Sequence, residues 1–446
     1  MYRHLDDAAP PAPDPTRLRS VLRRSDRIRT LRRRVWAAGL LGLALCSALA
    51  VTALGSIRSS PPSLTASETV YQFNRASDPL PSGTPVPTTS LTDVVFVDPG
   101  DGFALAAHRG GLVLAATTDG GSSWQVVNGR LPVTSLGTDA PAQMEFTGRQ
   151  NGYLWEGAAP GATAAPLWVT ADGGRSWARA PLGPVVSDVS AIGPNVWALV
   201  GSCPQSALGP ACTLGVTVSA DAGSTWRPAP GPVPASLGNS AEPGLVELAR
   251  VSRSRAYVLS MSPGGNAILA FTADGAATWA TRPVPCARPF DLGAELALSG
   301  TDDLWLVCGG QASAGSQAKA LYRSSTGGAS WSEAAQTMGF AGASTPVAGV
   351  GSLPLAGYVA PYSIGHKNLN VVSADLAWLF PSRGTVVVTT DGGTNWAAVP
   401  SLRDAGFGAG APGNLTFISS TDGWITELGT GLWRTTDGTA WFALGP

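Results

Sequence analysis

Six aspartates recur in this chain at one spacing, each two residues after a Thr or Ser: Asp119, Asp172, Asp221, Asp274, Asp391 and Asp437. A Trp follows five residues later, or four in the last copy, giving Trp124, Trp177, Trp226, Trp279, Trp396 and Trp441, and Trp331 closes a seventh copy in which Thr326 stands for the Asp. A carboxylate beside a hydroxyl can act as a general base, a nucleophile or a metal ligand. The same carboxylate in a Gly-Gly turn has a local use, because it can accept backbone N–H groups of its own turn while Gly takes positive φ at little cost. Recurrence favours this second use, and the spacing predicts a self-capped hairpin with the Trp as packing anchor. On that reading Ala222 and Ala276, each in place of a Gly, are tolerable departures.

Other carboxylates stand outside the turns. Counting three residues before the apolar position that opens each repeat gives Asp93, Gln143, Ser187, Glu247, Glu295, Asn368 and Asn414. All are polar, and as a ring at a channel mouth Asp93, Glu247 and Glu295 could receive a cation or a polyhydroxylated ligand, or supply the carboxylate pair of a glycoside hydrolase. Nearby in the longest loop lie Tyr358, Tyr362, His366 and Lys367, a second group of candidate ligand-binding residues. No GxSxG, HExxH or phosphate-binding loop occurs, and three His with no CxxC spacing argue against a metal. No cofactor is expected, and the expectation is a non-enzyme. Cys203, Cys212, Cys286 and Cys308 form an even set suited to two disulfides, with the local pairings 203–212 and 286–308 geometrically open.

The elements that must position these groups follow from the repeat. TTDGGSSW (117–124) returns with a period of about 50 residues as TADGGRSW, SADAGSTW, TADGAATW, SSTGGASW, TTDGGTNW and the shortened TTDGTAW (435–441). Upstream of each, an apolar residue precedes a small residue and an aromatic, as in Phe96…Gly102-Phe103, Phe146…Gly152-Tyr153, Val371…Ala377-Trp378 and Phe417…Gly423-Trp424. Leu298…Leu304-Trp305 is close, and Trp197 and Tyr257 are the aromatics of the third and fourth units. Each unit reads as strands A to D with the Trp-closed turn between C and D. The expected fold is therefore all-β, a seven-bladed β-propeller over 91–446. Its ring closes by blade packing, with a strand from 69–73 as the alternative. The stereotyped turns occupy one face, and the long, dissimilar stretches 125–143, 227–245, 280–294 and 332–369 occupy the other, where binding is expected.

These turns resemble the Asp box, or bacterial neuraminidase repeat, of sialidases, xyloglucan hydrolases, sortilin-type receptors and photosystem II assembly-factor propellers. The resemblance implies a propeller whose boxes lie away from the binding face. In blade number it is nearest the photosystem assembly factors. The Arg-Ile-Pro signature of sialidases is absent, so the resemblance carries no activity with it.

The first ninety residues differ. Residues 1–34 form an Arg-rich arm of net charge about +6, which leaves about −7 for everything after the next segment. Residues 35–57 (VWAAGLLGLALCSALAVTALGSI) hold 23 residues without a charge, long enough to span a bilayer as a helix. The asymmetry places the arm in the cytoplasm and the propeller outside, on an uncleaved anchor. A Pro/Ser/Thr-rich linker, 58–90, holds the two apart. Because the basic cluster abuts the membrane and the large domain is acidic, nucleic acid is not an expected partner. The composition, with Arg far exceeding Lys and abundant Ala, Gly and Pro, is that of a GC-rich bacterial genome. Taken together, the sequence reads as a membrane-anchored extracytoplasmic scaffold for a protein or glycan of the cell envelope.

Overall fold

In the computed structural model, the described residues are 79–446 except 110, 134–141, 157–164, 184, 203–212, 239–245, 262–266, 287–291, 338–348, 360–366, 412 and 446. The arm, the apolar span 35–57, the segment 69–73 and the Cys203–Cys212 pair lie outside them. Among the described residues no helix is long and apolar enough to cross a membrane.

Seven antiparallel sheets follow one another along the chain, each with its four sequential strands hydrogen-bonded in the order A-B-C-D. Blade one runs from Leu91–Phe96 through Gly102–His108 and Gly111–Thr117 to Gln125–Asn128, and blade seven from Gly413–Phe417 to Phe442–Leu444. The A strands of neighbouring blades lie beside one another round the whole circuit, including first against last, so the ring is closed with the A strands innermost. Every blade takes its strands from its own repeat. Residues 83–86 then run along the outer edge of blade one, with Val86 N–H donating to Trp124 O and Val126 N–H to Thr84 O. A parallel strand, Gly351–Leu353, covers the outer edge of blade five in the same way.

The small-aromatic motif has a steric cause. Phe96 pairs across strands with Gly102, and a Cβ on Gly102 would stand 2.8 Å from the Phe96 ring. Gly152 and Gly423 are equally crowded by Phe146 and Phe417, whereas the smaller Val371 faces Ala377. The following aromatic then stacks on the next blade's Phe: Phe103 on Phe146 and Trp424 on Phe96, each with ring centroids 3.7 Å apart. Trp124 and Trp177 pack edge-on against the same phenylalanines. Three rings thus fill these interfaces, and Trp424 joins the last blade to the first.

The Trp-closed turns are built on the Thr or Ser two residues before the Asp. Thr117, buried, donates its hydroxyl to Asp119 Oδ1 at 2.7 Å and accepts the Gly121 N–H at 3.1 Å. Asp119 also accepts the N–H and hydroxyl of Ser123 at 2.9 and 2.6 Å. The pattern repeats at Asp172, Asp221, Asp274 and Asp391, and in the fifth copy the Thr326 hydroxyl accepts the Ser330 N–H in the carboxylate's stead. The first turn residue after the Asp or Thr326 donates its N–H to the A–B turn of its own blade, as from Gly120 to Gly100 O and Gly173 to Gln150 O. The indole N–H groups of Trp124, Trp226 and Trp396 close back on Gly121, Gly223 and Gly393, while Trp331 donates instead to Pro283 O of the preceding blade. All of this lies on the face of the A–B and C–D turns.

On the other face, the stretches 125–143, 227–245, 280–294 and 332–369 are shorter as loops than their spacing suggests. Each begins with its blade's D strand: Gln125–Asn128, Arg227–Pro228, Ala280–Arg282 and Ser332–Thr337. The residue after each Trp is already strand, which periodicity in the turn alone does not reveal. Cys286 and Cys308 are bonded, with Cα atoms 5.5 Å apart, and both are buried. Strand B of blade five continues past Cys308 to Ser313.

Candidate functional site

The channel wall is lined by one polar side chain per inner strand, and these side chains reach sideways. Asp93 accepts the Met144 N–H of blade two. Glu145 accepts Ala191 N–H at 3.0 Å, Asp188 accepts Leu248 N–H at 2.7 Å, Glu247 accepts Leu296 N–H at 2.9 Å and Glu295 accepts Leu369 N–H at 2.8 Å. From blade seven, Asn414 accepts Val94 N–H at 3.2 Å and donates to the Asp93 carboxylate. The result is a directional girdle in which each blade's side chain satisfies a backbone donor of the next. Blade six is the departure: among the described residues it shows no such link, and there the buried Asn370 Nδ2, a donor, has no partner.

Enclosure sets the electrostatics. Burial pushes the Asp93, Glu145 and Glu295 carboxyls up to about 7 and Asp188 up to about 6. Lys367 reaches into this acid-rich arc, with Nζ 2.9 Å from Glu247 Oε1. The Glu247 charge first, and Asp188 and Glu295 with it, hold the Lys367 ammonium above its ordinary range. Its side chain is 61% accessible, so it is wetted inside the channel rather than sealed.

The structure thus brings together Glu247, Glu295 and Lys367 and sets Asp93 farther round the ring beside Asn414. Two expected ring members are replaced. Glu145, two residues beyond Gln143 on the same face of its strand, makes the blade-two link, and Asp188 rather than Ser187 makes the blade-three link because the pairing of that strand slips between Leu199 and Val200. Asn368 is fully buried and supports Glu295 from the side through Nδ2 at 2.9 Å. Glu145, one strand period from Gln143, and Asp188, the residue next to Ser187, were both visible in the sequence; the bulge that turns Asp188 to the channel was not. Tyr362 and His366 lie outside the described residues. Tyr358 is separate from the channel: its hydroxyl accepts the Gly315 N–H at 2.9 Å, and its backbone pairs with Ser382.

Tyr358 belongs to a strap, 351–359, fastened between blades five and six. Gln317 N–H donates to Leu355 O, Gly357 N–H to Gly315 O, and Val359 N–H to the Gln317 side chain. Beneath it Lys319, 2% exposed, gives its ammonium to four carbonyls, those of Gln317, Pro354, Leu355 and Ala356, at 3.0 to 3.3 Å. Burial pushes this amine down to about 7. Sequence reasoning missed Lys319, although it is one of two lysines in the chain.

The turn aspartates have the opposite environment. Hydroxyl and N–H donors, those of Thr225 and Thr278, hold Asp221 and Asp274 at about 2, and the Ala440 and Thr439 N–H groups do the same for Asp437. Such carboxylates are ionised and fully engaged at neutral pH, which suits turn-building. Among the described residues no group of three or more His, Cys, Asp or Glu could hold a metal ion.

No family model and no curated protein matches the chain. Among solved structures it is similar to YCF48 bound to a D1 peptide, at 18% identity and a TM-score of 0.46, over 81% of this chain and 98% of that one. It is similar to YCF48 from Cyanidioschyzon merolae at 15% identity and a TM-score of 0.48, over 80% and 99% of the two chains. A GH74 xyloglucanase from Xanthomonas campestris gives 18% identity and a TM-score of 0.49, over 80% of this chain and 53% of the enzyme. Likeness at this level concerns the fold.

Proposed function

We propose that the chain is a binding or assembly scaffold, an extracytoplasmic propeller of the Asp-box type anchored by the apolar span 35–57, that recognises a protein or glycan of the cell envelope through its loop face. The observation that carries this reading is the girdle. Asp93, Glu145, Asp188, Glu247 and Glu295 are already committed to backbone donors of the neighbouring blade, so the channel carboxylates serve the ring, and recognition falls to the unrepeated loops and to Lys367 at the mouth. The test is affinity capture from an envelope extract with the full tagged chain. Shortening the loop between Thr337 and Gly349 and substituting Lys367→Ala should each deplete the same captured partner. An unchanged set of partners with both variants rejects the loop face. Fractionation checks the anchor: the full chain should stay with membranes through alkaline extraction, and a chain lacking 35–57 should not.

A second reading, glycoside hydrolysis at the channel mouth, is favoured by one observation. Asp93 and Glu295 titrate at about 7, where a carboxylic acid can act as a general acid. Turnover of xyloglucan or a sialoside that is abolished by Glu295→Gln, with the fold intact, would establish it over the scaffold.

A further inference from the structure

Blade four differs from the other six on its outer strands. Three residues after the turn Trp, the other blades carry Val127, Ala180, Ala229, Ala334, Val399 and Leu444; blade four carries Arg282. One residue before the turn's first Thr or Ser, the others carry Ala, Val or Arg; blade four carries Phe271. The two meet: the Arg282 guanidinium carbon lies 5.0 Å from the Phe271 ring centroid. Arg255 approaches the same ring at 5.4 Å, but its charge is spent on Asp302 at 2.8 Å. Arg282 has no acidic partner among the described residues.

Beside this stack lies a cleft of about 240 Å³ lined by Phe271, Thr272, Asp274, Thr278, Trp279 and Arg282, with Ala273 and Ala280 between them. Two donors on its lining residues, Arg282 Nε and Trp279 Nε1, are buried and have no acceptor. A buried donor left without an acceptor is costly, so two on one cleft call for an acceptor that the chain does not supply. Asp274 does not supply it, since its oxygens are taken by Thr272, Ala277 and Thr278.

We propose that this cleft binds a carboxylate carried on a ring-sized body, the ring against the Trp279 indole and the carboxylate on the Arg282 guanidinium. A guanidinium fork matches a planar carboxylate, and an indole offers a flat apolar platform. The volume, below the roughly 300 Å³ at which drug-sized sites begin, admits one ring rather than a chain of them. The Asp274 charge on the wall favours a monoanion over a phosphate dianion. The site lies on the outer strands, apart from the channel and its loops, and stands whether or not the loop face binds a partner.

Isothermal titration of the full chain with benzoate, glucuronate, benzyl alcohol and glucose tests the assignment. At least one of the two acids should bind, ten times or more tightly than its neutral counterpart; benzoate alone would identify an aromatic acid, and glucuronate alone a sugar acid. Arg282→Val, which gives blade four the residue found in blades one and six, should lower that affinity at least tenfold with the melting temperature unchanged, and Arg282→Lys should lower it less. No binding of either acid, equal binding of acid and neutral ring, or acid binding that survives Arg282→Val at a cleanly folded variant overturns the proposal.

Discussion

In the Trp-closed turns the buried Thr or Ser hydroxyl both donates and accepts, so its loss strands two partners at once. Thr170 illustrates this, giving its proton to Asp172 and receiving the Gly174 N–H at 2.9 Å. Thr170→Val keeps the shape and removes both bonds, and should cost about 2 kcal/mol in a denaturant titration, because the Gly174 N–H is left buried without an acceptor. The two alanines that replace turn glycines should part company. Ala222 (φ 57) and Ala276 (φ 65) both sit in the left-handed region, where a side chain costs about 1 kcal/mol. Ala222→Gly should recover that amount. Ala276→Gly should recover almost nothing, since the Ala276 methyl is fully buried against the blade-three strands and its burial is worth about 0.8 kcal/mol. Equal gains at both sites in thermal unfolding would contradict this account. The turn was legible in the sequence down to its aspartate, while the central hydroxyl was not, because Thr and Ser at a strand end look like ordinary strand residues until their burial is known.

Between elements, the pairing of Phe96 with Gly102 and of Val371 with Ala377 expresses one rule of space inside a single chain. Gly102→Ala in an otherwise unchanged blade should cost about 1–3 kcal/mol through overpacking against Phe96. In a Phe96→Val background the same alanine should be nearly free, which a double-mutant cycle would read as a coupling of about 1 kcal/mol or more. Additive effects would show that the glycine is there for backbone reasons instead. Blade order, strand order and the aromatic interfaces were readable from spacing alone, since each repeat states them again. What spacing concealed was the register slip in blade three and the strap over Lys319: a bulge leaves the residue count plausible, and a strand that joins a sheet in parallel from a loop has no periodic signature. Those two features account for Asp188 in place of Ser187 and for a Tyr358 that fastens a loop rather than facing a ligand.

For the ring as a whole, buried acids and a buried amine set an unusual dependence on pH. The girdle carboxyls of Asp93, Glu145 and Glu295 titrate at about 7 when folded, against 3.8 or 4.5 ordinarily. The folded state therefore holds protons that the unfolded chain has released, and stability falls as pH rises from about 4 to 7. Lys319 has the reverse shift, from 10.5 to about 7, so the folded state releases its proton first and stability recovers between about 7 and 10.5. Below pH 4 the turn aspartates, held at about 2, protonate and stability drops again. A calorimetric melting profile should show a maximum near pH 4–5 and a shallow minimum near 7; Glu145→Gln should flatten the descending limb and Lys319→Met the ascending one. A profile with its maximum at neutral pH would mean that the channel is wetter than its geometry implies.

The same two lysines give the molecule a chemical asymmetry. One is sealed under the strap by four carbonyls, and the other stands in the channel, accessible but held protonated by Glu247. An amine-directed acylating reagent should therefore modify this domain at a single side chain, slowly, and faster once anything draws Glu247 away. Labelling speed at Lys367 becomes a built-in gauge of whether the mouth of the channel is occupied.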